Sequence, residues 1–234
     1  DLTLVLAAPT QVWSAQDGDI DQPAVGTSVQ GVVHADVRVV RRAVVRVDGR
    51  PGVGIATRTE GACAVFTSVL RHVGEAPTPD PYVRLDRTRR VEAGAVTEDL
   101  VVDSRLEVPC PLTLTVRLTP DATPLEWIKD GRVGGDLETP VARVGGARGR
   151  WSVGQLFVEL VAPAAAVSQD GDELVLTWRL VAPARGQVAV GWSLTVRDAG
   201  APVVAGGHRT ERPVLQAEGV DHRLRPWLAR SLAD

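Results

Sequence analysis

Hydrophobic and polar residues alternate with a period of two along most of the chain. In residues 112–119, leucines and a valine occupy one face, while threonines and an arginine occupy the other. Residues 174–180 and 187–197 repeat this pattern. A period of two predicts β-strands that have one buried face and one more polar face. By the same criterion, further strands are predicted over residues 2–7, 11–15, 42–47, 53–58, 63–72, 81–90, 96–106 and 152–161.

Turn signals separate these strands at close spacing. Asp-Gly dipeptides, which favour tight turns between antiparallel strands, occur at residues 17–18, 48–49, 130–131 and 170–171. The many valines, with 23 glycines and 16 prolines, also favour strands and turns over helices. The chain is therefore predicted to be all-β, a large antiparallel two-sheet β-sandwich.

Two segments depart from the strand pattern. Residues 131–150 are rich in glycine and are interpreted as a long loop or a weak hairpin inside a sandwich domain that spans residues 1–220. Residues 221–234 carry Leu224, Trp227, Leu228 and Leu232 at helical spacing. We therefore expect a short C-terminal helix whose apolar face packs on the sandwich or on a further domain.

Composition excludes several classes of protein. The net charge of −3, without a basic stripe, argues against nucleic-acid binding. No run of about 18 apolar residues predicts a membrane span. Cys63 and Cys110 do not make a disulfide framework, and we interpret them as small buried residues in a reducing cytoplasm. Because the chain has neither an initiator Met nor a signal segment, we interpret it as part of a longer protein.

The sequence contains no recognisable catalytic constellation. It has no Gly-x-Ser-x-Gly elbow, no P-loop and no paired histidines or cysteines with zinc-ligand spacing. We therefore predict no catalytic residue, no cofactor and no zinc site. Asp17, Asp19 and Asp21 alternate and are a calcium candidate, although a solvated turn explains them more simply.

The six tryptophans and the arginine clusters allow more than one interpretation. Glu126 beside Trp127 combines a carboxylate with an aromatic ring, as sugar-binding surfaces do, but Trp127 also fits a core position. Trp227 is interpreted as a packing anchor, and Glu126, Trp127 and Trp227 together are candidates for contacts with a sugar or with a neighbouring domain. Trp178 and Trp192 are predicted to be core residues because each lies in an apolar row, whereas the positions of Trp13 and Trp151 are left open. The arginines within residues 38–46 and 84–90 are interpreted as solvated strand faces, with contact to an acidic partner as the alternative.

Several short motifs follow one another in a set order. They are DGDI at 17–20, GVVHADVRVV at 31–40, VDGRP at 47–51, VTEDLVV at 96–102, VPCPL at 108–112, PDA at 120–122 and LEWIK at 125–129. Over about residues 1–132, this set resembles the N-terminal domain of bacterial glycogen debranching enzymes and amylo-α-1,6-glucosidases. The Asp-x-Arg of that family corresponds here to Asp36 and Arg38, its acidic strand residue to Glu98, and its next glutamate to Glu126.

The resemblance implies a supersandwich-like domain that precedes a catalytic (α/α) barrel. Because the family's catalytic carboxylates belong to the barrel, no catalytic residue is transferred to this chain. The tail at residues 224–234 is similar to the linker helix that leads into the barrel. From the residues themselves, we predict that Asp36 and Arg38 form an internal ion pair or lock a turn.

These observations lead to two hypotheses of different classes. In the first, the chain is a non-catalytic accessory domain of a cytoplasmic debranching-type glycoside hydrolase. It packs against the barrel of the same protein, stabilises it and borders the α-glucan site. In the second, the chain is a stand-alone carbohydrate-binding β-sandwich module, which the excess of tryptophan favours.

Overall fold

The computed structural model describes residues 1–21, 28–74, 80–132 and 140–200. Within these ranges the chain folds into two antiparallel sheets. The first sheet has seven strands, in the spatial order β1 (Thr3–Ala7), β2 (Thr10–Ser14), β3 (Gly31–His34), β4 (Val37–Val47), β9 (Cys110–Pro120), β14 (Glu173–Ala182) and β13 (Ala166–Asp170).

The second sheet has eight strands. Its spatial order is β10 (Arg143–Gly145), β11 (Arg148–Val153), β12 (Leu156–Val161), β15 (Gln187–Asp198), β8 (Ala95–Ser104), β7 (Val83–Glu92), β6 (Cys63–Val69) and β5 (Val53–Glu60). One helix of five residues, α1 (Leu125–Lys129), follows β9. The predicted all-β, two-sheet sandwich is confirmed.

The inward faces of the two sheets form one continuous hydrophobic core. Leu114, Val116 and Leu118 on β9 alternate with half-buried polar residues, as the sequence pattern predicts. Trp178 on β14 and Trp192 on β15 belong to this core and are 1% and 4% exposed. Their prediction as core residues is therefore confirmed, because each lies in a row of apolar residues on the inward side of a strand.

The sequence pattern missed strands β3, β10, β11 and β13. All four residues of β3 are buried, so this strand shows no alternation of apolar and polar residues. The residues of β10 are all exposed, and those of β13 are nearly all exposed. A period of two is clearest where one face of a strand is buried and the other is wet. This difference is absent in β3, β10 and β13, whereas β11 alternates in burial but carries arginine and glycine at most of its first positions. β5 is an exception in the other direction, since it was predicted although nearly all of its residues are exposed.

The glycine-rich segment contains regular structure. β10 and β11 pair as a hairpin, with Arg143 opposite Arg150 and Gly145 opposite Arg148. Interpretation of residues 131–150 as a loop is thus wrong over 143–150, where the alternative of a hairpin is confirmed. Residues 221–234, with the predicted terminal helix and Trp227, lie outside the described residues.

The free edge of β4 brings a distant loop into the fold. β3 pairs only with the beginning of β4, so the later residues of β4 lack a strand neighbour on that side. The loop after β2 fills this gap, because Ile20 and Ala43 exchange backbone hydrogen bonds of 2.9 and 2.8 Å. Asp19 is consequently held beside β4.

Neither cysteine is fully buried. Cys63 and Cys110 are free thiols, and both are half-buried. The sequence interpretation had placed them among the buried residues. In the parts of the chain that the structure describes, no helix has the length and apolar character needed to cross a membrane.

Candidate functional site: a buried arginine–carboxylate cluster

Three charged side chains lie in the inward rows of the larger sheet. Arg87 and Arg89 on β7 continue the buried row of Val83 and Leu85, and Glu98 on β8 lies between buried apolar residues of its own strand. Glu98 is 0% exposed and Arg89 is 1% exposed. Because ionised groups are rarely buried unless they are paired, this cluster has to be satisfied internally.

Glu98 binds both arginines at once. Its Oε1 accepts a hydrogen bond of 2.8 Å from Nε of Arg87. Its Oε2 accepts bonds of 2.9 and 2.7 Å from Nε and Nη2 of Arg89. The Phe66 ring lies beside the pair, with its centroid 5.2 Å from the Arg89 guanidinium carbon. Charge-assisted bonds of this kind are the strongest hydrogen bonds in proteins.

Asp19 extends the cluster to the smaller sheet. Its Oδ1 accepts from Nη1 of Arg87 at 2.5 Å and from the Val45 backbone N–H at 3.1 Å. Its Oδ2 accepts from Nη1 of Arg46 on β4 at 2.7 Å. One carboxylate thus replaces a strand partner for β4 and also connects β4 to β7, so the cluster holds the two sheets in register.

The Asp17-Gly18 turn is shaped by the same cluster. The carbonyl oxygen of Gly18 accepts hydrogen bonds from Arg87 at 3.1 Å and from Arg89 at 2.6 Å. Gly18 has a φ of +84°, and a Cβ atom there would lie 2.7 Å from the Phe66 ring. Both the backbone conformation and the close approach therefore require glycine at this position.

Electrostatics keep the cluster ionised. Burial by itself would raise the pKa of Glu98, but the charges of Arg87 and Arg89 outweigh burial and hold this pKa below its ordinary value. Burial opposes ionisation of Asp19 as well, and Arg87 and Arg46 lower its pKa. Burial would lower the pKa of Arg87, but Glu98 and Asp19 raise it. All three groups are therefore charged at neutral pH.

The geometry of the cluster suits a structural role better than catalysis. A general acid for glycoside cleavage needs a raised pKa and access to the substrate. Glu98 has a lowered pKa and no exposed surface. Arg87 and Arg89, the partners of Glu98, are fixed by five or more hydrogen bonds to strands and to the loop after β2. The cluster can therefore lock the fold, but it cannot reach a sugar.

The three aspartates of the calcium candidate have different partners. Asp17 Oδ1 accepts from the Asp19 backbone N–H at 3.0 Å, and Asp21 pairs with Arg42 at 2.9 Å. Asp19 is occupied by Arg87 and Arg46. Among the described residues, no group of three or more metal-ligating side chains converges. Arginine side chains occupy carboxylate oxygens of Asp19 and Asp21, two of the three candidate ligands.

Arg38 forms its ion pair with a different acid from the one predicted. Its Nε lies 2.5 Å from Oδ2 of Asp121, and its Nη1 donates to the carbonyl oxygen of Ser28 at 3.0 Å. The Asp36 side chain is exposed, and Asp36 contributes its backbone carbonyl, which accepts from the Leu125 N–H at 2.7 Å. The turn before β4 points the Asp36 side chain to solvent, so the predicted Asp36–Arg38 pair is replaced by Arg38–Asp121.

We expect Asp121→Ala to lower the free energy of unfolding by about 2 kcal/mol, because it leaves the buried Arg38 guanidinium without its counter-charge. Asp36→Ala is the matched control and should change it by less than about 0.5 kcal/mol, since that carboxylate is exposed. Urea unfolding of the two variants measures the difference. Equal losses in both variants would contradict this assignment.

Helix α1 carries Glu126 and Trp127, the candidate sugar or domain-interface contacts of this region. Glu126 is exposed, and Trp127 is half-buried, with its ring centroid 5.9 Å from the guanidinium carbon of Arg132. Trp127 does not belong to the continuous core, so its interpretation as a core residue is wrong. Ile128 is the buried residue that anchors α1.

Most of the described tryptophans are enclosed. Trp151, Trp178 and Trp192 are 3%, 1% and 4% exposed, while Trp13 and Trp127 are half-buried. A sugar-binding platform needs an open aromatic face. The excess of tryptophan is therefore explained chiefly by the core.

The interpretation of the arginines as solvated strand faces is wrong for Arg38, Arg87 and Arg89, which are all buried. One signal in the sequence marks two of them. Arg87 and Arg89 lie in phase with Val83, Leu85 and Val91, so they belong to the inward row of β7.

Comparison with known families identifies the chain. The model of a family described as the N-terminal domain of (some) glycogen debranching enzymes matches residues 5–193. The chain belongs to this family. In this debranching-enzyme N-terminal domain, Asp19, Glu98 and both buried arginines lie within the matched residues.

Solved structures confirm the fold of this debranching-enzyme N-terminal domain. It resembles a provisionally named aldose 1-epimerase from Escherichia coli K12, with a TM-score of 0.51 and 9% identity over 85% of this chain and 99% of that chain. A galactose mutarotase-like protein from Clostridium acetobutylicum gives a TM-score of 0.50 and 6% identity over 83% and 94% of the two chains. At these identities the likeness concerns the fold alone.

A provisionally named kojibiose phosphorylase from the human microbiome aligns with a TM-score of 0.46 and 11% identity over 76% of this chain. The aligned part makes up 25% of that larger protein. No curated protein sequence matched this debranching-enzyme N-terminal domain.

Proposed function

We propose that this chain is a non-catalytic domain of a glycogen-debranching glycoside hydrolase of the amylo-α-1,6-glucosidase type. It packs against an (α/α)-barrel catalytic domain of the same protein, stabilises that barrel and borders its α-glucan site. The family description, which speaks of an N-terminal domain, supports this assignment. A bacterial cytoplasmic location is part of the proposal, and the free thiols of Cys63 and Cys110 are consistent with it.

One observation carries the non-catalytic role. Wherever the pKa of a carboxylic acid in the described residues is shifted, it is lowered, and the acid is paired with an arginine. These acids are Asp19, Glu98, Glu107 and Glu159. Glycoside hydrolysis requires a carboxylic acid that keeps its proton near neutral pH, together with a second carboxylate across a cleft. Arginine pairing has the opposite effect on these acids.

The purified chain should release no glucose from an α-1,6-branched glucan. Glucose release is measured with the wild-type chain and with Glu126→Gln, which alters the exposed acid beside Trp127. Turnover by the pure wild-type chain that disappears in a variant of one of its own acids would overturn the non-catalytic assignment.

We assign α1 as part of the surface that faces the barrel, because it presents Glu126 and the half-buried Trp127 to solvent. Amide hydrogen exchange over Leu125–Lys129 tests this placement in the isolated chain and in the parent protein. Slower exchange in the parent protein is expected. Equal rates in both would contradict the assignment of α1.

The alternative of a stand-alone carbohydrate-binding module predicts a different result. Titration with maltooligosaccharides would then give saturable heat and quenching of tryptophan fluorescence. A packing domain gives neither, and the enclosed positions of Trp151, Trp178 and Trp192 favour the packing role.

A further inference from the structure

A groove lies at the β10 edge of the larger sheet. It encloses about 670 Å³, and the residues that matter for its chemistry are Val141, Arg143, Val144, Arg150, Trp151 and Phe157. We call this feature the edge groove. It is formed by the β10–β11 hairpin and the beginning of β12. In the strand order of the sheet, β15 separates these strands from β8 and β7, which carry the buried charged cluster.

Apolar side chains are concentrated in the edge groove. Val141 is 77% exposed, Phe157 is 40% exposed and Val144 is 37% exposed. These three are among the eight exposed large hydrophobic residues in the described part of the chain. Adjacent exposed apolar side chains mark an interaction surface more reliably than scattered ones do.

The same groove carries excess positive charge. Arg148 and Arg150 both pair with Glu159, whose Oε1 lies 3.3 Å from one and 2.7 Å from the other. Arg143 has no ion-pair partner among the residues that the structure describes. Three arginines therefore face one carboxylate. A second copy of the chain would bring like charges together, whereas an acidic partner would neutralise them.

We propose that the edge groove binds a polypeptide segment that places carboxylates next to apolar side chains. Its carboxylates pair with Arg143 and the neighbouring arginines, and its apolar side chains cover Phe157, Val141 and Val144. We take the segment to come from the catalytic domain of the same protein, and only this choice of source rests on the proposed function. A neutral glucan is disfavoured because it leaves the arginine charge uncompensated.

A peptide that alternates glutamate and valine is the probe, and its titration into the purified chain is followed by calorimetry and tryptophan fluorescence. We expect saturable binding that weakens at least tenfold in Arg143→Glu and in Phe157→Ala, and that weakens with added salt. Arg179→Glu changes an exposed arginine on β14 of the other sheet and is the matched control, which should bind like the wild type. Thermal melting checks that all variants are folded.

Three results would overturn the proposal. They are the absence of saturable binding of the glutamate–valine peptide, equal binding of a lysine–valine peptide, and maltooligosaccharide binding that is lost in Phe157→Ala. Peptide binding does not depend on glucose release, so failure here leaves the non-catalytic assignment intact, and glucose release by the chain leaves the groove assignment intact.

Discussion

Glu98→Ala should lower the free energy of unfolding by about 3–5 kcal/mol, because breaking a buried ion pair leaves the partner charges uncompensated. Within the described residues, Arg89 then has no carboxylate partner, and Arg87 keeps only its pair with Asp19, since both arginines donate to Glu98 in the wild type. For a domain of this size the melting temperature should fall by roughly 10 °C. Calorimetry of the purified variant measures the effect.

The matched control is Asp99→Ala on the same strand. Asp99 pairs with Arg90 at 2.5 Å, but both side chains are more than half exposed. Exposed pairs contribute about 0–1 kcal/mol, so this variant should melt close to the wild type. If Glu98→Ala also melted within two degrees of the wild type, the cluster would not be the lock between the sheets that its geometry indicates.

The pH dependence of unfolding gives a second readout of Glu98. Its pKa in the folded state is below the ordinary value of 4.5, so the unfolded chain binds the proton more readily. The stabilisation is therefore fully present above this value and is lost as pH falls through the lower pKa of the folded state. Glu98→Gln, which does not titrate, should lose less stability than the wild type over the same acid range.

Trp178→Ala should destabilise the chain by about 3–5 kcal/mol, the range for removing a large aromatic side chain from a packed core. Trp178 is 1% exposed, and its indole N–H donates to the carbonyl oxygen of Pro163 at 2.9 Å. The substitution thus opens a cavity between the sheets and also leaves that carbonyl without this donor. Urea unfolding measures the loss.

Trp127→Ala is the control for this substitution. Its ring is half-buried and lies outside the continuous core, so the expected loss is below about 1.5 kcal/mol. A loss at Trp127 as large as that at Trp178 would show that α1 is part of the core. It would then be less suited to the interface that we propose for it.

Most strands with one buried and one wet face were predictable, although β11 was missed. β9 and β14 show this clearly, because apolar and polar residues alternate along each of them. β3 escaped detection because both of its faces are covered, and β10 because both are exposed. Alternation reports a difference between the two faces of a strand, so it vanishes when the faces are alike.

The candidate site was only partly predictable. Glu98 was singled out by the resemblance to debranching enzymes, and Asp19 only as a calcium candidate. The register of the inward row on β7 could have indicated that Arg87 and Arg89 are buried. Nothing local indicated that Asp121, rather than Asp36, would be the partner of Arg38, because the two paired residues lie 83 positions apart.

The sequence by itself determined most of the strands, the Asp-Gly turns and the apolar rows that form the core, since each depends on the order of neighbouring residues. Only the tertiary structure decided which charges are buried and with what they pair. Arg87 meets Asp19 across 68 residues of sequence. A charge can leave water only where the fold brings an opposite charge to it, and that meeting is a property of the packed sheets rather than of any single segment.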